Sequence, residues 1–247
     1  MKTRRIIRII SAITAFLLLG YLAVMAVFLK ETEKDVACKD LVVKIQNDRE
    51  NRFVTEADIT SALKQAKLDP IGMQMSNINT YKIETELMKN GMIDKVDVYK
   101  TPSGTIKIDV SQKTPILRAM SVRGDFYIDS KGGTMPVSRR YIVHVPIANG
   151  YIEKELATTD LYKFALFLQE NEFWNNQIEQ IYVHPDRDIE LIPRVGDHRI
   201  ILGTFDNFEE KLDNLQLFYE QAIPKLGWER YSSINLKFKN QVVCTKK

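Results

Sequence analysis

Residues 9–29 form a run of 21 consecutive residues without a charge. At the rise of an α-helix such a run is roughly 30 Å long, the thickness of a bilayer core. Lys2, Arg4, Arg5 and Arg8 precede it, with no acid among them, and the mixed-charge stretch Lys30-Glu31-Thr32-Glu33-Lys34-Asp35 comes after it. Cationic flanks stay on the cytoplasmic side, so the N-terminus is expected inside and the remainder outside. A cleaved signal peptide is the competing reading, since Val24-Met25-Ala26 offers small residues near a cleavage position. The run is long for a signal peptide and continues through Val27-Phe28-Leu29, which favours a retained anchor. A lipoprotein signal ending at Val36-Ala37-Cys38 fits less well, because Asp35 interrupts it and the apolar run has already stopped. The expected order is a cytoplasmic stub over 1–8, a span over 9–29 and a linker over 30–38.

The chain beyond the linker is long enough for two small folded units or one large one. The protein has 247 residues, 45% of them hydrophobic, which is enough for real cores. Its net charge of +3 is uneven: residues 1–29 carry +4, so the rest carries −1. That balance lacks the basic excess of a nucleic-acid-binding domain. Cys38 and Cys244 lie outside any C-x-x-C pair, so no metal or redox motif is present; a disulfide between them is open in an oxidising compartment, and two unpaired thiols are the favoured reading.

The first unit is expected over 39–113. Asp40-Leu41-Val42-Val43-Lys44-Ile45 reads as a strand. Thr55 is a good N-cap with Asp58 in a capping-box-like position, and Ile59, Leu63 and Ala66 fall on one helical face. A second helix comes after Asn77-Ile78-Asn79, with Ile83 and Leu87 inward and Gly91 suited to the left-handed position after its end. Val96 and Val98, then Ile106, Ile108 and Val110, alternate with polar residues around the turn Thr101-Pro102-Ser103-Gly104. The order is β-α-α-β-β, a three-stranded sheet covered on one face by two helices.

The second unit is expected over 114–245, with 246–247 as a tail. Strands are predicted over 116–120, 126–129 and 141–146, with Ser130-Lys131-Gly132-Gly133 as a turn. A helix over 160–171 buries Leu161, Ala165 and Leu168. Further strands are predicted over 178–183, 189–193 and 198–202. Asp206-Asn207-Phe208-Glu209 has the form of a capping box opening a helix with Phe208, Leu212, Leu215 and Tyr219 inward, ending at Pro224. The chain closes with a strand over 231–239, on which Ile234, Leu236 and Phe238 face one way, and a short strand Val242-Val243-Cys244. The fold class is therefore α+β: an N-terminal transmembrane helix, a β-α-α-β-β domain, then a mixed β-rich domain with embedded helices.

Reactive groups do not converge in the pattern. His144, His184 and His198 sit in separate contexts with no HExxH-type spacing, and no G-x-S-x-G, P-loop or G-x-G-x-x-G is present. Arg123-Gly124-Asp125 reads as a strand-entry turn and Asp186-Arg187-Asp188 as a solvated loop. Trp174 and Trp228 read as packing residues. The chain is expected not to be an enzyme and to need no cofactor or metal.

The stretches "FVTEADI" and "IETELMKNGMIDKVDVYKTPSGTIKIDVSQKTPI" resemble a POTRA domain, a class that binds polypeptides, often by adding a strand to a sheet edge. With the anchor before it and "FYIDSKGGTMPV", "HRIILGTFDNFEEKLDNLQLFY" and "YSSINLKFKNQVV" after it, nearly the whole chain is similar to the FtsQ/DivIB cell-division family. Asn235 stands where an Asp is often seen, and Lys237 keeps the basic position. The resemblance implies a non-enzymatic scaffold of the divisome, in the bacterial cytoplasmic membrane with its folded domains periplasmic and enriched at the division septum. It implies FtsB/FtsL-type single-span partners and other divisome components, with no nucleic acid. It implies partner binding by strand addition at the C-terminal edge, involving Tyr231, Ser233, Asn235, Lys237, Val242 and Val243. The alternative is a POTRA-containing secretion or outer-membrane assembly factor. Its transmembrane β-barrel would need at least eight alternating strands of about ten residues, for which the C-terminal half is too short and too charged.

Overall fold

Two sheets of unlike size organise the chain, and one hairpin belongs to both cores. The computed structural model describes residues 13–25, 36–46, 52–122, 124–138 and 140–247. Residues 13–25 are helical (α1) and exposed along their length. They are the described part of the expected span; 9–12 and 26–29 lie outside the described residues. Among the described residues no helix is long and apolar enough to cross a membrane.

The first sheet has the order β1-β3-β2, built from β1 (Asp40–Gln46), β2 (Ile93–Lys100) and β3 (Thr105–Gln112). β1 runs parallel to β3 and β2 antiparallel to it. Helices α2 (Glu56–Gln65) and α3 (Thr80–Leu87) cover one face. Thr55 caps α2 in a complete capping box with Asp58, and Asn79 caps α3 by accepting from the Lys82 N–H. Ile59, Leu63, Ile83 and Leu87 meet Ile106, Ile108 and Val110 of the central strand, all 2% exposed or less. Each such side chain contributes about 1.5–3 kcal/mol by leaving water. The chain entering α2 is held by Gln112, whose buried Oε1 accepts from the N–H groups of Phe53 and Val54, both at 2.9 Å.

The second sheet has nine strands in the order β12-β11-β10-β9-β8-β7-β4-β5-β6. They are β4 (Pro115–Ser121), β5 (Gly124–Asp129), β6 (Thr134–Pro136), β7 (Ile147–Gly150), β8 (Ile178–Val183), β9 (Ile189–Pro193), β10 (Arg199–Gly203), β11 (Tyr231–Asn235) and β12 (Val243–Lys246). Its core packs α4 (Lys154–Thr158), α5 (Asp160–Glu170), α6 (Glu172–Gln177), α7 (Phe208–Gln221) and α8 (Ile223–Leu226) around Trp174, Phe164, Leu212 and Leu215.

Four local expectations fail for physical reasons. Residues 141–146 form no strand; Tyr141, Val143 and Val145 alternate because they pack on the first core. Gly91 is absent from the glycines with positive φ. It instead gives way to Pro136 of β6, since a Cβ there would lie 2.8 Å from the Pro136 Cδ. No capping box opens α7: the N-cap is Asn207, left-handed at φ 50°, and the Asp206 carboxylate accepts from the Thr204 hydroxyl. The strand expected over 231–239 stops at Asn235, and Phe238 is 54% exposed rather than in the core.

The two units meet along β5 and β6. Tyr127 and Met135 belong to the first core, whereas Ile128 belongs to the second. Phe53 meets the Tyr127 ring at 6.3 Å and the Tyr141 ring edge-on at 5.2 Å. Lys131–Asp94 at 2.6 Å and Arg140–Asp58 at 2.9 Å bridge the rim, and Lys113–Asp129 at 2.9 Å lies deeper. Burial pushes the Asp129 carboxyl up, but Lys113 and the N–H groups of Gly133 and Lys131 outweigh it and hold it below its ordinary value. A carboxyl depressed in the fold stabilises at pH above its unfolded value and loses that contribution as pH falls through the folded one. Asp129→Ala is expected to destabilise the solubilised chain by roughly 1.5–3 kcal/mol at neutral pH. In denaturant melts, the gap between variant and parent should close as pH drops below 3.8, the ordinary carboxyl value.

Candidate functional site

An edge strand offers main-chain N–H and C=O groups that no neighbour satisfies, which makes it a template for a further strand. The large sheet has two ends. At one, β6 is covered: Pro136 lies against Gly91 and the Thr134 carbonyl accepts from the Lys113 ammonium at 3.1 Å. At the other, β12 is terminal, and among the described residues nothing pairs with its outer side. In the small sheet β1 is also terminal, while β2 is partly covered by α3, whose Glu84 carboxylate accepts from the Val98 N–H at 2.9 Å.

β11 is an inner strand, parallel to β10 and antiparallel to β12. Its register places Ser233 opposite Thr245, Ile234 opposite Cys244 and Asn235 opposite Val243. Directly opposed residues share a face. Ile234 and Cys244 therefore turn toward the helices, while Ser233, Thr245, Asn235 and Val243 line the other side. A bulge between Tyr231 and Ser233 interrupts the ladder, and the Ser232 hydroxyl reaches the carbonyls of Thr245 and Lys246 at 3.3 and 3.4 Å. Tyr231 packs against Phe218 of α7 with ring centroids 5.9 Å apart.

Of the six residues singled out from the sequence, Tyr231, Ser233 and Asn235 fall on β11 and Val243 opens β12. Lys237 and Val242 lie on the connection between the strands. The Lys237 N–H donates to the Asn235 side chain at 2.9 Å, its stem crosses Gly203, and its ammonium pairs with Asp188, which raises its pKa. That pairing also gives Asp188 a structural partner. Thr245 and Lys246 are edge residues that the sequence did not bring forward, and Phe238, expected to face inward, is exposed on the connection. The visible signal was the turn at Asn240-Gln241, which leaves room for a strand longer than Val242–Cys244; Asn240 takes φ 57° there. Beside the connection, Lys211, Leu236 and Phe238 line a groove of about 220 Å³ along the start of α7.

Behind the edge lies a buried aromatic layer. The His198 Nε2 is 2.7 Å from the Tyr219 hydroxyl, and the imidazole stacks on Trp228 at 6.0 Å and 14°. Tyr219 meets Trp228 at 4.9 Å and Trp174 at 6.2 Å. Gly196 is left-handed at φ 87°, and any Cβ there would strike the His198 ring at 2.7 Å. Over this layer Lys247 reaches both Asp197 and Glu229 at 3.0 Å, fixing the outer end of β12. Cys244 is half-buried against the core, and burial raises its thiol pKa; Cys38 and Cys244 are both free. His184 pairs with Glu190 at 3.5 Å, and no group of His, Cys, Asp and Glu among the described residues could hold a metal.

A small three-stranded domain joined through a shared hairpin to a nine-stranded sheet, whose β12 end is unpaired among the described residues, defines a two-domain α+β class. Residues 36–111 match the POTRA-like domain family, and residues 114–245 match the family described as FtsQ/DivIB, C-terminal related. The second match spans more than half of the chain, which belongs to the FtsQ/DivIB family, a family of cell division. It is similar to the cell division protein FtsQ of Rhodothermus marinus (strain ATCC 43812 / DSM 4252 / R-10). The two are 26% identical over 203 residues, covering 76% of this chain and 72% of that protein.

Burial, and then the nearby Lys247 charge, push the His198 pKa down from 6.5. The unfolded chain therefore takes up this proton first, so stability is complete above that value and falls as pH drops below it. His198→Gln is expected to flatten the decline in melting temperature between pH 6.5, the ordinary histidine value, and more acidic buffers. An unchanged slope would place the acid sensitivity elsewhere.

Proposed function

We propose that this division protein is a membrane-anchored, non-catalytic scaffold whose β12 edge accepts a strand from an FtsB/FtsL-type single-span partner. The observation that carries this reading is the pairing asymmetry of the large sheet. One end is consumed by contact with the first domain, and the other ends in a strand with no neighbour among the described residues. Main-chain pairing would supply affinity, and alternating side chains would supply selectivity. Val243 and Thr245 offer one small, β-branched row beside Ser233 and Asn235. The exposed Phe238 and its groove lie where an added strand would leave the sheet.

The anchor in this reading is residues 9–29, cytoplasmic at the N-terminus, with domains over 39–113 and 114–245 on the periplasmic side and enriched at the septum. Its support is the uncharged run and the asymmetry of its flanking charges. The first domain would assist recruitment by other divisome components.

Proline tests the edge directly, because successive N–H groups of a strand point to opposite sides and proline removes one. Thr245 and Lys246 are both exposed on β12. Of Thr245→Pro and Lys246→Pro, the variant whose missing N–H faces away from β11 should keep the parent melting temperature. That folded variant should lose at least about tenfold in partner affinity, or roughly 1.4 kcal/mol. Binding equal to the parent by a folded variant at both positions would exclude strand addition here.

A further inference from the structure

The loop between α2 and α3 is tied by its backbone to the segment that joins the first domain to the expected anchor. The Cys38 N–H donates to the Met73 carbonyl at 2.8 Å, the Gly72 N–H to the Cys38 carbonyl at 2.9 Å and the Met75 N–H to the Val36 carbonyl at 3.0 Å. Ala37 and Gln74 form an antiparallel bridge. The Lys39 N–H donates to the Gly104 carbonyl at 2.8 Å, which draws the 101–104 turn to the same end of the domain. The Lys100 ammonium donates to the Met75 carbonyl.

At this end the apolar groups point outward. Ile71 is 50% and Met73 42% exposed, although the N–H groups of Gly72, Met73 and Met75 are hydrogen-bonded. Gly72 between them is left-handed at φ 81°, so the two side chains flank a tight turn. Exposed Lys39 adjoins the backbone-paired Cys38, exposed Lys100 reaches the Met75 carbonyl, and exposed Lys67 follows α2 into the loop, where the Asp69 carboxylate accepts from the Ile71 N–H. Nothing in the first core requires Ile71 or Met73 to be apolar, since that core closes over Ile78, Leu63 and Cys38 beneath them. An apolar tip with a lysine collar suits the boundary between acyl chains and anionic headgroups, where the tip leaves water and the ammonium groups remain in it.

The tether limits where this tip can be. Seven peptide units separate Leu29, the end of the uncharged run, from Val36. Fully extended they span about 25 Å, and any less extended path brings the tip closer. The backbone pairing places Ile71 and Met73 directly beside that tethered point.

We propose that the 70–75 loop is a membrane-contact site: Ile71 and Met73 insert at the headgroup level of the outer leaflet, and Lys39, Lys67 and Lys100 face anionic phosphates. This rests on the reading of residues 9–29 as a retained anchor. The contact orients the first domain on the bilayer and so fixes the height at which β12 is presented.

The test uses the full chain in nanodiscs, in a Cys244→Ser background with the buried Cys38 left in place. That background should take up no thiol-reactive environment-sensitive dye. The dye is then carried on Ile71→Cys, Met73→Cys or, as a reference, Val122→Cys, which is 77% exposed in the second domain. Quenching is read with nitroxide lipids labelled near the headgroup, in discs of phosphatidylcholine alone or with phosphatidylglycerol added. The expected result is quenching several-fold stronger at positions 71 and 73 than at 122, increasing with phosphatidylglycerol and reduced by Lys39→Glu combined with Lys67→Glu. Equal, weak quenching at all three positions in chain that remains with the lipid through alkaline extraction would overturn the contact while leaving the anchor intact. Chain released from lipid by alkaline extraction would overturn the anchor and the contact together. Shielding of positions 71 and 73 from a water-borne quencher, without quenching by the lipids, would assign the tip to a protein partner and equally overturn the proposal.

Discussion

The fold depends on a single ribbon that serves two cores. Successive residues of a strand point to opposite faces, and β5 uses both: Tyr127 is buried in the first core and its neighbour Ile128 in the second. Met135 on β6 adds to the first core from the same hairpin. The joint is therefore made within the sheet rather than by a linker. Asp129 closes the hairpin turn through the Lys131 and Gly133 N–H groups while pairing with Lys113 at the end of the first domain. The rim pairs Arg140–Asp58 and Lys131–Asp94 are largely exposed and add little by comparison. What resists bending is the buried apolar contact and the satisfied carboxylate beneath them.

That joint also decides which edge of the large sheet stays open among the described residues. A nine-stranded open sheet has two edges that could recruit a strand. Covering β6 with Pro136 against Gly91 and with Lys113 removes one of them. Proline on an outermost strand is itself a device against unwanted pairing. The asymmetry that leaves β12 as the open end among the described residues is thus a consequence of domain packing, not of β12 alone.

Much of this was legible in the residues. The capping pair Thr55 and Asp58, Asn77 and Asn79 (of which Asn79 is the cap) and the alternation of Ile106, Ile108 and Val110 are local signals, and each corresponds to an element in the structure. Two of the misses come from a tertiary neighbour that no window of sequence contains, and the other two from local side-chain bonds that compete with the expected element. Tyr141, Val143 and Val145 have strand-like alternation because the first core lies beneath them. Gly91 is small because Pro136 approaches it, and its position after a helix mimics a cap. Phe238 continues the spacing of Ile234 and Leu236 but lies past the strand end, where the Asn235 side chain has already taken the Lys237 N–H. At the candidate edge, the strand over β11 could be read from its pattern. Its inner position and the identity of β12 as the edge depend on the parallel pairing with β10, which joins residues more than thirty apart.

An open edge is also a hazard, since any extended chain can pair with it. β12 limits this in three ways. It has four residues, so it offers few main-chain bonds. It ends in Lys246, whose charge opposes stacking of a second copy in register. Its outer end is held by Lys247 to Asp197 and Glu229, which keeps it from peeling toward a competing strand. So short an edge cannot supply much affinity from backbone pairing, and selectivity must come from side chains beyond it. The surface next to the start of β12 supplies them: an exposed phenyl ring at Phe238, a groove beside Lys211 and the ion-paired Lys237. In the proposed reading, a strand that also fills that groove is favoured over one that only pairs, which is how a weak edge would serve one partner.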